Sequence, residues 1–156
     1  MKRCPECRNP LRDAKADVTW DLAGAGEIVM RGVPGQRCDH CGEVYRRGED
    51  LERAELVAAA GLADIGVQNG AVFRFMRKAL GMRAADLAEL LDVTAEQVSR
   101  WENDHVPVNR GAWVTVAALV SDRLEGSEKT LARLRALREH RTRLSSPLRL
   151  DLAHAR

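Results

Sequence analysis

Aromatic residues are scarce in this chain of 156 residues, at three Trp, two Phe and one Tyr. A core must therefore be built mainly from Leu, Val and Ala. No run of about 18 apolar residues occurs, so no membrane-spanning helix is expected. The opening Met1-Lys2-Arg3-Cys4-Pro5 has no apolar stretch. A secretory leader is therefore not expected, and the protein is expected in the cytoplasm. No phosphate-binding loop and no nucleophile–base pair is recognisable. The four histidines are scattered, and the acidic residues form no catalytic pair. No enzymatic activity is expected. A strong charge of one sign is also missing, because the net charge is only +2. Its distribution is uneven. Residues 1–60 hold 10 basic and 11 acidic side chains, whereas Lys129–Arg149 carries seven basic residues against Glu139. That is a modest footprint compatible with nucleic acid.

The four cysteines, Cys4, Cys7, Cys38 and Cys41, all lie near the start of the chain. Disulfides are not expected in a reducing compartment, so the pattern calls for metal or redox chemistry. Two Cys-x-x-Cys pairs stand thirty residues apart. Each pair can form a knuckle presenting two thiolates, and four thiolates suit one tetrahedral Zn²⁺ in a closed, structural site. Gly42, next to Cys41, allows the positive φ that a knuckle needs. The same four sulfurs also suit a single iron, which would colour the protein red, and four free thiols are the plainest alternative. His40 sits between ligands in a shell that is already full, and reads as an exposed knuckle residue.

Between the knuckles, Val18, Trp20 and Leu22 alternate with polar residues, and Glu27–Val33 reads as a second strand. Ala23-Gly24-Ala25-Gly26 turns the chain, which makes a β-hairpin. Pro34-Gly35 is expected to end it. Gly48–Ala60 reads as a helix, with a linker at 61–66. Beyond that the pattern is helical throughout. Val72, Phe75, Met76 and Ala79 form one face, and Arg74, Arg77 and Lys78 a charged solvated one. Ala84, Leu87, Ala88 and Leu91 repeat the spacing. Thr94 caps Ala95–Asn103, and Asn109 caps a helix with Trp113, Val116, Ala117, Val120 and Leu124 inward. Leu131, Leu134, Leu137 and Leu144 mark a last amphipathic helix.

Residues 84–103 fit two short helices joined by a tight turn. In a helix-turn-helix the second helix enters the major groove of DNA. Val98 and Trp101 face the core, which leaves Glu96, Ser99, Arg100 and Asn103 outward. Arg100 is the best base-reading candidate, through bidentate contact with guanine. Glu96 can accept from cytosine but repels phosphate. Gln97 and Ser99 can reach a phosphate or a base edge, and Arg83 a backbone phosphate. The plain alternative is an amphipathic helical hairpin with an exposed polar face.

Cys4-Pro5-Glu6-Cys7 and Cys38-Asp39-His40-Cys41-Gly42 resemble the YgiT-type zinc finger of MqsA-type antitoxins. Met76–Met82 through Val98-Ser99-Arg100-Trp101-Glu102-Asn103 resembles the Xre/Cro-type helix-turn-helix that follows it. The resemblance covers roughly residues 1–125. It implies a homodimer bound to double-stranded operator DNA, a structural zinc domain that engages a cognate toxin, and repression of its own operon. The family's base-reading Arg falls on Arg100. Its base-reading Asn falls on Glu96, which implies a different operator. Arg83-Ala84 replaces a usual Thr-Gln and with it a helix cap.

The expected fold is α+β, a small zinc-binding β-hairpin domain followed by an all-α helix-turn-helix domain. The expected division is 1–60 for the Cys4 finger, 61–66 for the linker, 67–125 for the helix-turn-helix and 126–156 for an Arg-rich helical tail. The competing function is a protein-interaction module whose zinc domain binds a partner and whose helical half only dimerises. A solitary regulator without a toxin is the third reading. With a boundary at 61–66, Cys38→Ser is expected to unfold residues 1–60 and spare the helical half.

Overall fold

The computed structural model describes residues 3–138 together with 143, 145–147 and 149. The architecture is α+β. Three strands, β1 (Leu11–Leu22), β2 (Gly26–Cys38) and β3 (Val44–Tyr45), form an antiparallel sheet in the order β1-β2-β3. Among the described residues six helices follow: α1 (Gly48–Ile65), α2 (Gly70–Ala79), α3 (Ala84–Leu91), α4 (Ala95–Glu102), α5 (Arg110–Leu124) and α6 (Lys129–Leu137).

The hairpin runs further than the alternation of Val18, Trp20 and Leu22 indicates. Its register starts at Leu11 opposite Cys38 and ends at Leu22 opposite Gly26. Pro34-Gly35, expected to break the strand, lies inside β2 opposite Lys15 and Ala14. Two features permit this. A bulge sets Arg31 and Gly32 against Asp17, with Gly32 at φ +69° donating its N–H to Asp17 Oδ1 at 3.0 Å. In addition, β3 pairs only with Gln36 and Arg37, so β2 is an edge at Pro34, where a residue without an N–H is tolerated. Gly35 admits β3, because a Cβ there would stand 2.7 Å from the carbonyl oxygen of Tyr45.

α1 continues through Gly61 and ends at Gly66, which has φ +75° and donates its N–H to Leu62 O. The segment 61–66, read from sequence as a linker, is therefore helical up to Ile65. The reason is tertiary. Burial of Ala58, Ala59 and Leu62 outweighs the cost of about 1 kcal/mol for an interior glycine. Ala59 and Leu62 belong to the main core with Phe73, Met76, Leu87, Val98, Trp101, Trp113, Val116 and Val120. Leu22, Ala25 and Ile28 from the hairpin tip pack against the same core. Trp20 meets Phe75 edge-on, with ring centroids 5.6 Å apart, and Asn69 Nδ2 donates to Ala23 O at 3.3 Å. The sheet and the helical half thus share one hydrophobic interior.

On α2 the inward residues are Val72, Phe73 and Met76. Phe73 displaces Phe75 from the face expected on periodicity, because Phe75 turns toward the hairpin. Arg77, expected on the solvated face with Arg74 and Lys78, is buried at 7% exposure. Its guanidinium grips Glu102 bidentately, Nε to Oε1 at 2.5 Å and Nη2 to Oε2 at 2.9 Å, and Nη1 donates to Met82 O at 2.6 Å. Arg74 and Lys78 remain exposed. α2 meets the end of α4 closely at Gly70, where a Cβ would stand 2.2 Å from Trp101 O. Gly70 N–H donates to Asp104 Oδ1 at 2.6 Å.

Further along, Trp113, Val116 and Val120 of α5 are buried as expected, joined by Ala112 and Leu119, while Ala117 and Leu124 are half-buried. Leu131 and Leu134 of α6 are half-buried and Leu137 is exposed. Leu144, expected on the same helix, lies outside the described residues, as do 139–142, 148 and 150–156 of the Arg-rich tail.

Removing one partner of a buried ion pair strands the other charge, at a cost of about 3–5 kcal/mol. Glu102→Ala is expected to destabilise the helical half by that amount in urea unfolding. The double variant Arg77→Met/Glu102→Leu should recover most of the loss. Equal destabilisation by single and double variants would show that the pair contributes through packing alone.

Candidate functional site

The four cysteines meet at the end of the sheet opposite the hairpin tip. Cys4–Cys41 and Cys7–Cys38 stand at Sγ–Sγ distances of 3.5 and 3.4 Å, Cys7–Cys41 at 3.7 Å, and all four sulfurs lie within 4.8 Å of one another. A tetrahedral ion with metal–sulfur bonds of about 2.3 Å has sulfur–sulfur edges of about 3.8 Å. The cluster therefore fits one metal ion held by four thiolates. His40 is exposed and is not among the clustered ligands.

The two knuckles repeat one local geometry. Arg8 N–H donates to Cys4 O and Gly42 N–H to Cys38 O, each at 2.9 Å. Arg8 has φ +60° and Gly42 φ +81°. The glycine expected in the second knuckle has the positive φ it was assigned, and Arg8 adopts the same conformation without being glycine. Cys4 and Cys38 are buried, Cys7 is half-buried and Cys41 exposed.

Two supports were not foreseen. The Tyr45 hydroxyl stands 3.3 Å from Cys4 Sγ, and Asn9 Nδ2 donates to Cys7 Sγ at 3.5 Å. Tyr45 comes four residues after Cys41 and Asn9 two after Cys7, but only the folded knuckles aim them at sulfur. Hydrogen bonding from Tyr45, aided by the backbone N–H groups of Cys7 and Glu6, brings the Cys4 thiol down to about 6. Asn9, through its side chain and backbone, lowers Cys7. At Cys41 the Glu43 N–H favours the thiolate, but desolvation and the neighbouring sulfurs together push its thiol up to about 12. Four thiolates this close do not all ionise without a cation among them.

The second candidate surface is built on α3 and α4. Arg83 precedes α3 without a side-chain cap, and Asp86, in the first turn, accepts the Arg83 N–H at 3.1 Å. The Arg83 guanidinium also closes on Asp86, at 2.6 Å, so this cation is partly committed within the chain. Asp92, at φ +55°, turns the backbone, and Thr94 Oγ1 accepts the Gln97 N–H at 3.1 Å to start α4. Val98 and Trp101 are buried. Glu96, Ser99, Arg100 and Asn103 are exposed and Gln97 is half-exposed, as the helical spacing requires. Among the described residues Arg100 has no ion-pair partner. Asn103 follows the last residue of α4, and its Nδ2 donates to Ser99 O at 2.7 Å. That amide serves the helix end before any ligand. Among the described residues, no helix is long and apolar enough to cross a membrane.

A helix-turn-helix family matches residues 73–111, which runs from within α2 through α3 and α4 to the start of α5. No curated protein matches the chain significantly. The chain thus carries a helix-turn-helix domain, which supports a DNA-binding regulator, together with a four-cysteine cluster able to hold one metal ion.

Two outcomes follow from the cluster. Metal and protons compete for the same thiolates. Near neutral pH, metal entry must displace at least the proton that Cys41 otherwise holds up to about 12, so affinity rises with pH. Acidification through about 6 adds the proton of Cys4. Zinc affinity, read with a chromogenic chelator, is expected to fall by about tenfold per displaced proton for each pH unit. A flat profile from pH 8 to 5, taken as an assay range of about three units, would refute thiolate ligation. Because the hairpin tip and α1 are part of the helical core, Cys38→Ser should also reach beyond residues 1–60. The helical half is expected to lose at least about 5 °C of Tm by far-ultraviolet circular dichroism. An unchanged helical transition would restore independence of the two parts.

Proposed function

We propose that this protein is a sequence-specific transcriptional repressor that binds double-stranded operator DNA as a homodimer and has no catalytic activity. In this reading the four-cysteine centre holds one structural Zn²⁺. The protein acts in the cytoplasm as the antitoxin and autorepressor of a toxin–antitoxin pair.

The observation that carries the DNA-binding part is α4. Its inner face is locked by Val98 and Trp101, its end is held through Glu102, and its outer face presents Arg100 without a competing carboxylate among the described residues. A rigid helix with a free arginine on a helix-turn-helix scaffold is what major-groove reading requires. Ser99 and Gln97 are placed for phosphate or base edges. Glu96 selects against close phosphate approach and favours cytosine at its position. Arg83 reaches phosphate only by loosening its pair with Asp86.

Zinc is the metal best suited to four thiolates in a closed, tetrahedral site that leaves no position for substrate. The antitoxin role rests on the order of the cysteine pairs and the helix-turn-helix, which resembles that family. A small toxin-like reading frame beside the gene would support it.

The test is fluorescence anisotropy with the protein's own upstream DNA and a random duplex as control. Preferential binding of the upstream DNA is expected, falling steeply with salt as counterions are released. Arg100→Ala should weaken specific binding by about 10- to 100-fold and leave weak binding to random DNA in place. Equal affinity for both duplexes, or an unaffected Arg100→Ala variant, would sink the reading and favour a helical half that only dimerises.

A further inference from the structure

A groove beside the cysteine cluster belongs to neither site described above. Its volume is about 980 Å³, and Arg3, Pro5, Leu11, Lys15, Tyr45 and Arg46 are among the residues that line it. Arg46 is the feature that asks for a ligand. Its side chain lies over Gly35, where a Cβ would stand 3.2 Å from Arg46 Cγ, and its Nη2 donates to Asp17 O at 2.9 Å. Its Nε is buried and has no acceptor among the described residues. Buried N–H groups are nearly always paired, so the Arg46 guanidinium is short of an acceptor within the described residues.

The charge around it is unbalanced. Among the described residues, no carboxylate lies within ion-pair distance of Arg3, Lys15 or Arg46. Of the two acids on the groove, Asp50 is held by Arg47 at 2.8 Å, and Asp13, which accepts from the neutral Gln36 amide at 3.1 Å, is a single carboxylate against the cations of Arg3, Lys15 and Arg46. The remaining lining includes apolar surface from Pro5, Leu11 and Tyr45. A nucleic-acid backbone supplies anions but no apolar side chain. An acidic peptide supplies both.

We propose that this groove binds an acidic peptide segment of a partner protein. One carboxylate sits between Arg46 and Lys15, and an apolar side chain packs against Pro5, Leu11 and Tyr45. Tyr45 also touches Cys4 and Pro5 lies within the first knuckle, so the metal centre shapes one wall of the groove. The proposal does not depend on DNA binding, since no groove residue belongs to α3 or α4.

The test uses the zinc-loaded full chain, labelled with ¹⁵N, titrated with a short peptide of alternating Glu and Leu. The control peptide has Lys in place of Glu. The Arg46 Nε–H resonance is expected to shift with the acidic peptide only. Arg46→Gln should weaken binding of that peptide by at least about tenfold while leaving operator affinity unchanged. Should Arg46→Gln fail to fold, Lys15→Gln, at an exposed strand position, is expected to show a loss in the same direction. Equal affinity for both peptides, or an unmoved Arg46 resonance, overturns the proposal. Displacement of the peptide by duplex DNA, with the same resonance moving, also overturns it and assigns the groove to phosphate.

Discussion

Four thiols within 4.8 Å of one another set the main constraint on this protein. As thiolates they repel, and as thiols they give little cohesion. A single divalent cation changes the balance, because it neutralises the repulsion and ties residues 4 and 7 to residues 38 and 41. The strands between those positions are then held at one end. The opposite end of the hairpin is held by packing, through Leu22, Ala25 and Ile28 against the helical core and Trp20 against Phe75. A long, largely solvent-facing hairpin with a short third strand has little core of its own, so both attachments matter.

The helical half uses a different device. α2 and α4 are joined by a buried, bidentate arginine–carboxylate pair and by a backbone approach that only glycine permits at position 70. Buried ion pairs are weak contributors to stability compared with apolar packing, yet they fix geometry, since a misplaced charge has no partner. The consequence is an α4 whose orientation is set from behind. Its exposed side chains are then free for recognition. Asn69 caps α2 and also bonds to the hairpin tip, so the same residue touches both halves. The path from the cysteine cluster to α4 runs through hairpin, Asn69, α2 and the Arg77–Glu102 pair without a break.

The sequence was easiest to read where local chemistry is decisive. Two Cys-x-x-Cys pairs with glycine after the second announce a four-cysteine cluster able to hold a metal ion, because ligand type and knuckle geometry are short-range properties. Thr94 and Asn109 announce helix starts, because a side-chain acceptor three residues or fewer from an unpaired N–H acts locally. Val98 and Trp101 announce the inward face of α4. Phe73 was missed in favour of Phe75 because both are aromatic and neighbouring faces of a short helix differ by little in periodicity. Arg77 was misread because a charged residue between exposed Arg74 and Lys78 looks solvated until its partner, 25 positions away, is seen.

By itself the sequence determined the α+β class, the cysteine cluster and the two-helix motif, since each rests on residue type and spacing within a few positions. Tertiary structure alone decided that α1 continues through Gly61, that Pro34 stays within a strand, and that the two halves share a core. Each of these sets a local preference of about 1 kcal/mol against burial or pairing with residues remote in the chain. The remote partner is invisible to any local pattern, and its contribution is the larger.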